Sequence, residues 1–282
     1  MTLRVFAPAK VNLWLHVLGR RADGYHELDS LVAFAGVGDR VGLTPGGPLS
    51  LSIEGPFGAG LGAGDDNLIL RAARELAARV PRLTLGAFTL EKNLPIASGL
   101  GGGSSDAAAA LRALCAANRL SLDDPRVRAA AAASGSDVPV CLVPRARMMR
   151  GRGEIVGPPV DLPEMAVVLV NPGVAVSTSA VFAILGLAHG ERTSALLHLD
   201  RRWSARIAAA RNDLQAPAIS LARDIARTLA ALAALPGAGV VRMSGSGATC
   251  FAVFEEIAAA RAAARSLRRA APDWYLRATR LR

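Results

Sequence analysis

The sequence predicts an α+β fold in two lobes. Three observations carry this prediction. Segments of alternating apolar residues are interspersed with capped, alanine-rich segments of helical type. The chain of 282 residues with 51% apolar content is long enough to bury two ordinary cores. Prolines at 158, 159 and 163 mark a change in composition, so we place a domain boundary near residue 160, giving domains 1–160 and 161–282.

In the N-terminal half, alternation of apolar and polar residues predicts strands at 11–17, 26–34, 41–44, 50–53 and 84–91. Asp65-Asp66-Asn67 predicts the cap of a helix that runs to about Ala78. A second helix is expected over 104–118, and Asp124-Pro125 opens a third. The apolar run 138–143 is interpreted as a further strand.

The C-terminal half continues the same mixture of elements. Strands are expected at 166–170, 240–243, 249–254 and 274–279. Helices are expected at 177–185 and within 203–211 and 218–235. A last helix is expected to run from the end of strand 249–254 to about Arg269.

Composition excludes several classes of function. The formal charge is +10, but the arginines are spread along the chain and aromatic residues are 4%, so we expect no nucleic-acid partner. The apolar stretch 228–241 is too short to cross a membrane, and the N-terminus lacks a signal-peptide pattern, which predicts a cytoplasmic protein. The three cysteines and four histidines show no metal-ligand spacing, so no protein metal site is predicted and the thiols are expected to be free and buried. Only Lys10 and Lys92 are lysines among 33 basic residues, which makes a lysine at position 10 informative.

A glycine-rich loop is the strongest functional signal. Four of the five residues from Gly99 to Gly103 are glycine, and an alanine-rich helical segment follows. Glycine lets bare backbone approach a ligand, and a helix start attracts anions, so the loop predicts a phosphate cradle. Ser104, Ser105 and Asp106 are residue types typical of an N-cap at that junction. The loop lacks the Gly-Lys-Ser/Thr ending of a Walker loop and the third glycine of a dinucleotide fingerprint.

Several blocks around this loop resemble one family, the 4-diphosphocytidyl-2-C-methyl-D-erythritol kinases of the GHMP kinase superfamily. The blocks occur in the family's order: Pro8-Ala-Lys-Val-Asn-Leu13, Arg21-Ala-Asp-Gly-Tyr-His26, the loop 95–106, Ser136-Asp-Val-Pro139, Asn171-Pro-Gly173, Asn212-Asp-Leu214 and Ser244-Gly-Ser-Gly-Ala-Thr249. The resemblance implies a two-lobed GHMP kinase fold, with an N-terminal α/β nucleotide-binding domain and a C-terminal ferredoxin-like α/β domain. It also implies phosphorylation of the 2-hydroxyl of the cytidine-linked acceptor, a step of the non-mevalonate route to isoprenoid precursors.

The same resemblance assigns roles to residues. Asp137 matches the catalytic base, and Lys10 matches the cation beside the reacting hydroxyl. The ATP-binding residues implied are Pro95, Ile96, Ala97, Ser98, Gly99, Leu100, Gly101, Gly102, Gly103, Ser104 and Ser105, with Asn67 on the adenine side. The acceptor-binding residues implied are Asn12, Tyr25, His26, Thr178 and Phe182, with the aromatic rings stacking on cytosine. Mg²⁺ is expected with ATP, and only a hydroxyl of Ser104 or Ser105 is at hand to contribute to its binding.

Two alternatives remain at this point. One is another kinase of the superfamily, for homoserine or mevalonate, against which the Ala22-Asp-Gly-Tyr-His26 block argues because those substrates have no base to stack. The other is a basic RNA-binding protein whose loop contacts phosphates, for which salt-sensitive binding without phosphoryl transfer would be diagnostic. The oligomeric state is not predicted.

Overall fold

The computed structural model describes residues 1–64, 66–193 and 202–282. The strands are β1 Leu3–Arg20, β2 His26–Pro45, β3 Ser50–Glu54, β4 Gly86–Glu91, β5 Arg147–Gly151, β6 Ile155–Pro159, β7 Met165–Asn171, β8 Val241–Met243, β9 Cys250–Phe254 and β10 Tyr275–Leu281. The helices are α1 Leu68–Ala77, α2 Gly102–Asn118, α3 Pro125–Ser134, α4 Val138–Leu142, α5 Thr178–Ile184, α6 Trp203–Ala209, α7 Gln215–Leu221, α8 Asp224–Ala233 and α9 Ile257–Ala270.

The chain forms two compact units, each built from several segments. The first unit contains residues 1–10, 38–96 and 101–144. In it the end of β2 pairs antiparallel with β4, from Arg40 opposite Glu91 to Pro45 opposite Gly86, and β3 runs parallel to β4. Helices α1 to α4 pack on one another, and Ala107–Ala110 of α2 are fully buried. Such small side chains allow neighbouring helices to approach closely.

The second unit contains residues 11–37, 97–100 and 145–282. Its antiparallel sheet has the order β10-β7-β9-β8, and α8 and α9 pack against it. The first half of β2 pairs with β5, and β5 pairs with β6. The buried positions of β7, such as Val168 and Val170, share one core with Ala252 of β9 and Leu276 of β10. This unit therefore has its own hydrophobic centre.

Several predicted elements are confirmed and others are wrong. Asp124 caps α3 with Pro125 at its start, as predicted, and Asn67 caps α1. Asp65 lies outside the described residues. The predicted strand at 138–143 is instead the short helix α4. Because a short apolar run suits a buried helix as well as a buried strand, its pattern did not decide between them.

Three further differences concern element limits. The predicted helix 218–235 is two helices, α7 and α8, with a break at Ala222, whose backbone is extended. The strand β6 was not predicted, since its prolines favour a break in composition. Helix α2 begins at Gly102, and its N-cap is Gly101 in the left-handed conformation, so the expectation that Ser104, Ser105 or Asp106 caps it is wrong.

Three further predictions concern the domain division, membrane-spanning segments and the cysteines. The division at residue 160 stays a prediction. Across the described ranges, no helix combines the length and apolar character needed to cross a membrane. The three cysteines, Cys115, Cys141 and Cys250, are buried free thiols, as the sequence predicts.

Candidate active site

An ion pair in the first unit joins the two residues that the resemblance assigned to catalysis. Lys10 lies on β1, and Asp137 is the residue immediately before α4. The Lys10 Nζ atom is 2.7 Å from the Asp137 Oδ2 atom. The lysine side chain is 5% exposed and the aspartate side chain 32% exposed, so the pair is covered on the cation side and reachable on the carboxylate side. A carboxylate in this setting can accept a proton from a ligand hydroxyl.

The glycine loop begins its helix directly against Lys10. Gly101 has a φ of +60°, a conformation that favours glycine. A Cβ atom on Gly101 would lie 2.9 Å from the Lys10 Cε atom, so the lysine stem occupies the space that a side chain would need. The first backbone N–H groups of α2 have no partner within the helix and carry the positive end of its dipole. The first unit thus places a helix start suited to an anion beside the Lys10–Asp137 pair.

Cys141 lies in the helix that follows Asp137, and it is buried. Burial raises the pKa of the Cys141 thiol to about 12. The thiol therefore stays protonated at neutral pH and does not act as a nucleophile. Cys141 is therefore no candidate for the proton acceptor beside this pair.

The preceding part of the glycine loop, Ala97–Leu100, belongs to the second unit. The carbonyl of Ser98 accepts the N–H of Thr249 at 3.0 Å, and the carbonyl of Gly99 accepts the hydroxyl of Ser244 at 2.9 Å. Gly99 has a φ of +76°, and a Cβ atom there would lie 2.4 Å from the Ser244 carbonyl oxygen. Glycine at position 99 is therefore required by close backbone contact as well as by φ.

The second glycine-rich segment, Ser244–Gly247, is held by two asparagines of other segments. The backbone N–H of Asn12 donates to the Ser244 hydroxyl at 3.0 Å. The side-chain amide of Asn212 donates to the carbonyls of Met243 and Gly245, both at 2.8 Å. The sequence pointed to Asn212 only as part of a family block, because a carbonyl-binding amide leaves no local pattern.

The predicted acceptor residues lie in the second unit. The rings of His26 and Phe182 stack with centroids 4.7 Å apart. Burial, and then the charge of Arg20, lower the pKa of His26, which keeps the ring neutral at pH 7. Tyr25 is 52% exposed, and the guanidinium of Arg152 lies 4.8 Å from its ring centroid.

Two other predicted ligand contacts have structural partners as well. The hydroxyl of Thr178 is 2.8 Å from that of Ser246, so the start of α5 contacts the second glycine-rich segment. The Asn67 side chain accepts the N–H of Ile69 at 3.0 Å and donates to the carbonyl of Gly62 at 2.9 Å. Asn67 therefore holds the local fold, and its assignment to the adenine side stays a prediction. Pro95 and Ile96 belong to the first unit, and their predicted contacts to ATP also stay untested.

A charged cluster of Lys92, Asp39 and Asp106, which the sequence did not reveal, lies against Gly102 of the glycine loop. The ammonium of Lys92 is 2.6 Å from a carboxylate oxygen of Asp39 and 2.6 Å from one of Asp106. The scarcity of lysine, which makes position 10 informative, points equally to position 92. Among the described residues, no group of three or more histidine, cysteine, aspartate or glutamate side chains could hold a metal ion.

Two family models match the chain: GHMP kinases N terminal domain over residues 67–145 and GHMP kinases C terminal over residues 193–273. A protein of Methylorubrum extorquens, named 4-diphosphocytidyl-2-C-methyl-D-erythritol kinase, is 56% identical and covers 98% of this chain and 97% of its own. A protein of the same name from Xanthobacter autotrophicus is 53% identical over 99% of each chain.

The chain is also similar to a crystal structure of a 4-(cytidine 5'-diphospho)-2C-methyl-D-erythritol kinase, with a TM-score of 0.80 and 35% identity over 99% of both chains. Both N- and C-terminal GHMP kinase domains are present, as the fold prediction required. Since relatives at more than half identity span nearly the whole length, the chain belongs to the 4-diphosphocytidyl-2-C-methyl-D-erythritol kinase family of the GHMP kinases.

Proposed function

We propose that this chain transfers the γ-phosphoryl group of ATP to the 2-hydroxyl of 4-diphosphocytidyl-2-C-methyl-D-erythritol, with Asp137 as the base and Lys10 as the charge-stabilising cation. The single observation that carries the residue assignment is the 2.7 Å ion pair between them at the start of α2. Family membership supplies the reaction, since relatives bearing this kinase name are 56% and 53% identical over nearly the whole chain.

The transfer is a displacement at phosphorus. Asp137 accepts the proton of the 2-hydroxyl as its oxygen forms a bond to the γ-phosphorus, and the bond from that phosphorus to the β–γ bridging oxygen breaks to release ADP. The Lys10 ammonium stabilises negative charge on the attacking oxygen and on the transferred group. Positioning and charge stabilisation supply most of the acceleration in such reactions.

The glycine loop would bind the donor through its backbone. The N–H groups at the start of α2 suit the phosphates, and the glycines at 99 and 101 let them approach. Mg²⁺ would be bound mainly by phosphate oxygens and water, with the Ser104 or Ser105 hydroxyl as a protein ligand. Ser105 fits this role chemically, because its buried hydroxyl has no hydrogen-bond partner within the described structure. The ion supplies neutralisation of phosphate charge.

The acceptor would be held by the second unit. Tyr25 and Phe182 present aromatic faces for cytosine, and neutral His26 offers a ring nitrogen for a hydrogen bond to the base. Asn12 and Thr178 are the polar contacts we assign to the acceptor. The free, buried cysteines support a cytoplasmic location.

The test is a coupled assay of ATP consumption with the cytidine-linked acceptor, compared with homoserine and mevalonate at equal concentrations. We expect turnover with the cytidine-linked acceptor to exceed turnover with either of the others by at least about a thousandfold, since a site built for a base leaves its polar groups unpaired without one. Comparable turnover with homoserine or mevalonate would remove the proposed acceptor.

A further inference from the structure

We propose that Lys92, together with Asp39 and Asp106, is a positioning group for the ATP phosphates. It fixes the backbone at Gly102, where α2 begins, and does not itself touch the nucleotide. This inference rests on the proposed function, because it concerns the loop that binds the donor. All four residues lie in the first unit.

The cluster is sealed from water and closely bonded. The Lys92 Nζ atom donates to the Oδ2 atoms of Asp39 and Asp106, each at 2.6 Å. The three side chains are 3%, 0% and 3% exposed, in the order lysine, Asp39, Asp106. A group this deeply buried cannot exchange its partners for water, so its geometry is fixed by the packing around it.

Each member belongs to a different segment of the chain. Lys92 follows β4, Asp39 lies on β2, and Asp106 lies in the first turns of α2. The second oxygen of Asp39 accepts the backbone N–H groups of Asn93 and Leu94, at 2.5 and 2.8 Å. The Lys92 ammonium and its carboxylate partners therefore connect three segments: β2, the stretch before the glycine loop, and helix α2 after the loop.

The ammonium lies directly against the first residue of the helix. A Cβ atom on Gly102 would lie 3.0 Å from the Lys92 Nζ atom and 3.7 Å from the Asp39 Oδ2 atom. Gly102 is in helical conformation and has no positive φ, so close approach to Lys92 is the constraint that favours glycine here. A shift of Lys92 would thus be transmitted to the N–H groups that face the phosphates.

Charge explains why the cation is indispensable to this geometry. Two carboxylates share one ammonium, and a buried carboxylate that loses its cation is strongly destabilising. Burial opposes the charge on Lys92, but Asp106 and Asp39 raise the pKa of its ammonium above the usual value. Removing the ammonium would therefore leave two buried carboxylates close together without a cation, and their mutual repulsion would move the helix start.

The experiment compares Lys92→Met with Arg79→Met in the full chain. The control removes the cation of the Arg79–Glu75 ion pair, which is about one-third exposed and lies in the same unit. The dissociation constant of ADP in the presence of Mg²⁺ is measured by calorimetry, with KM for ATP, KM for the acceptor and kcat measured alongside. We expect Lys92→Met to weaken ADP binding and raise KM for ATP about tenfold. Its kcat and KM for the acceptor should stay within about threefold, and the control should match the wild type.

A folded Lys92→Met variant that binds ADP within twofold of the wild type would overturn the inference and leave the cluster a stabilising element only. If that variant does not fold, Gly102→Ala keeps all three charges and displaces the ammonium through its Cβ atom. We expect Gly102→Ala to bind ADP about fivefold more weakly, and unchanged affinity in it would equally overturn the inference.

The binding measurement also separates this inference from the proposed function. If the wild type binds ADP but does not phosphorylate the cytidine-linked acceptor, the proposed acceptor is wrong, and weaker ADP binding by Lys92→Met still supports positioning. If the wild type does not bind ADP, both proposals are overturned.

Discussion

The two lysines of this chain lie against consecutive glycines, and they differ in what surrounds their charge. Lys10 lies against Gly101 and forms an ion pair with Asp137, whose side chain is 32% exposed. Lys92 lies against Gly102 and pairs with two carboxylates that are almost fully buried. The same functional groups, an ammonium and a carboxylate, can therefore serve two purposes. The exposed carboxylate suits the Lys10–Asp137 pair to the catalytic role that we propose for it, while the burial of the Lys92 cluster suits that cluster to holding the backbone.

The largest effect is expected from breaking the accessible pair at its carboxylate. Asp137→Asn keeps the size of the side chain and removes the proton acceptor. We expect kcat to fall about a thousandfold, because general base catalysis contributes factors of this order. The dissociation constant of ADP should stay within about twofold, measured by calorimetry. Near-normal turnover in this variant would remove Asp137 from the chemistry.

The second effect tests the cation of the same pair. Lys10→Met removes the ammonium and keeps most of the stem that packs against Gly101. We expect kcat to fall about a hundredfold, since a charge that stabilises the transition state acts on kcat. Steady-state kinetics beside Lys92→Met sharpens the comparison, because the two methionine variants should differ in whether kcat or KM for ATP changes. If Lys10→Met and Lys92→Met both changed the same kinetic constant, the proposed difference in role between the two lysines would be wrong.

These two sites also show what the sequence could and could not predict. The glycines at 99–103 and the helix after them predict a phosphate-binding loop from local pattern alone. The pairing of Lys10 with Asp137 could not come from pattern, because the partners are far apart in sequence; only family resemblance brought them together. Lys92 was visible as a rare residue, but its partners Asp39 and Asp106 depend on tertiary packing.

The errors in the fold have equally particular causes. The apolar run 138–143 predicts a strand, whereas the segment forms the helix α4 that follows Asp137, because a short apolar run suits either element. The helix α2 was expected to have a side-chain cap, and it begins after a left-handed glycine instead. We assign the backbone N–H groups at the N-terminus of α2 to the ATP phosphates. A side-chain cap would compete with the phosphates for these N–H groups.

A third prediction leaves both lysines intact and changes the other unit. Tyr25→Ala removes an exposed ring that we assign to cytosine. Because stacking of a base on an aromatic ring contributes about 1–3 kcal/mol, KM for the acceptor should rise between about fivefold and a hundredfold. KM for ATP should not change, which initial-rate measurements at saturating levels of the fixed substrate would show. A change confined to ATP would contradict the assignment of Tyr25.

The smallest effect concerns stability and the buried cluster. The pKa of Asp106 in the folded chain is raised to about 7 from its ordinary value of 3.8, so the folded state binds the proton more tightly than the unfolded state. Wild-type stability should therefore fall as pH rises from about 4 towards 7 through this group, and stay level above it. Asp106→Asn removes this dependence and can still accept a bond from Lys92.

The measurement is the free energy of unfolding of both proteins by urea titration at pH 5 and at pH 8. Between these two pH values, we expect the stability of Asp106→Asn relative to that of the wild type to increase by about 1–2 kcal/mol. An equal pH dependence in the two proteins would show that Asp106 stays charged throughout that range.

The burial of both lysines has a practical consequence for chemical labelling. Since Lys10 and Lys92 are 4% and 2% exposed and the sequence contains no other lysine, amine-selective reagents should leave both lysine side chains of the folded protein unmodified. Labels on either lysine, detected by peptide mass analysis, would then report local opening of the fold.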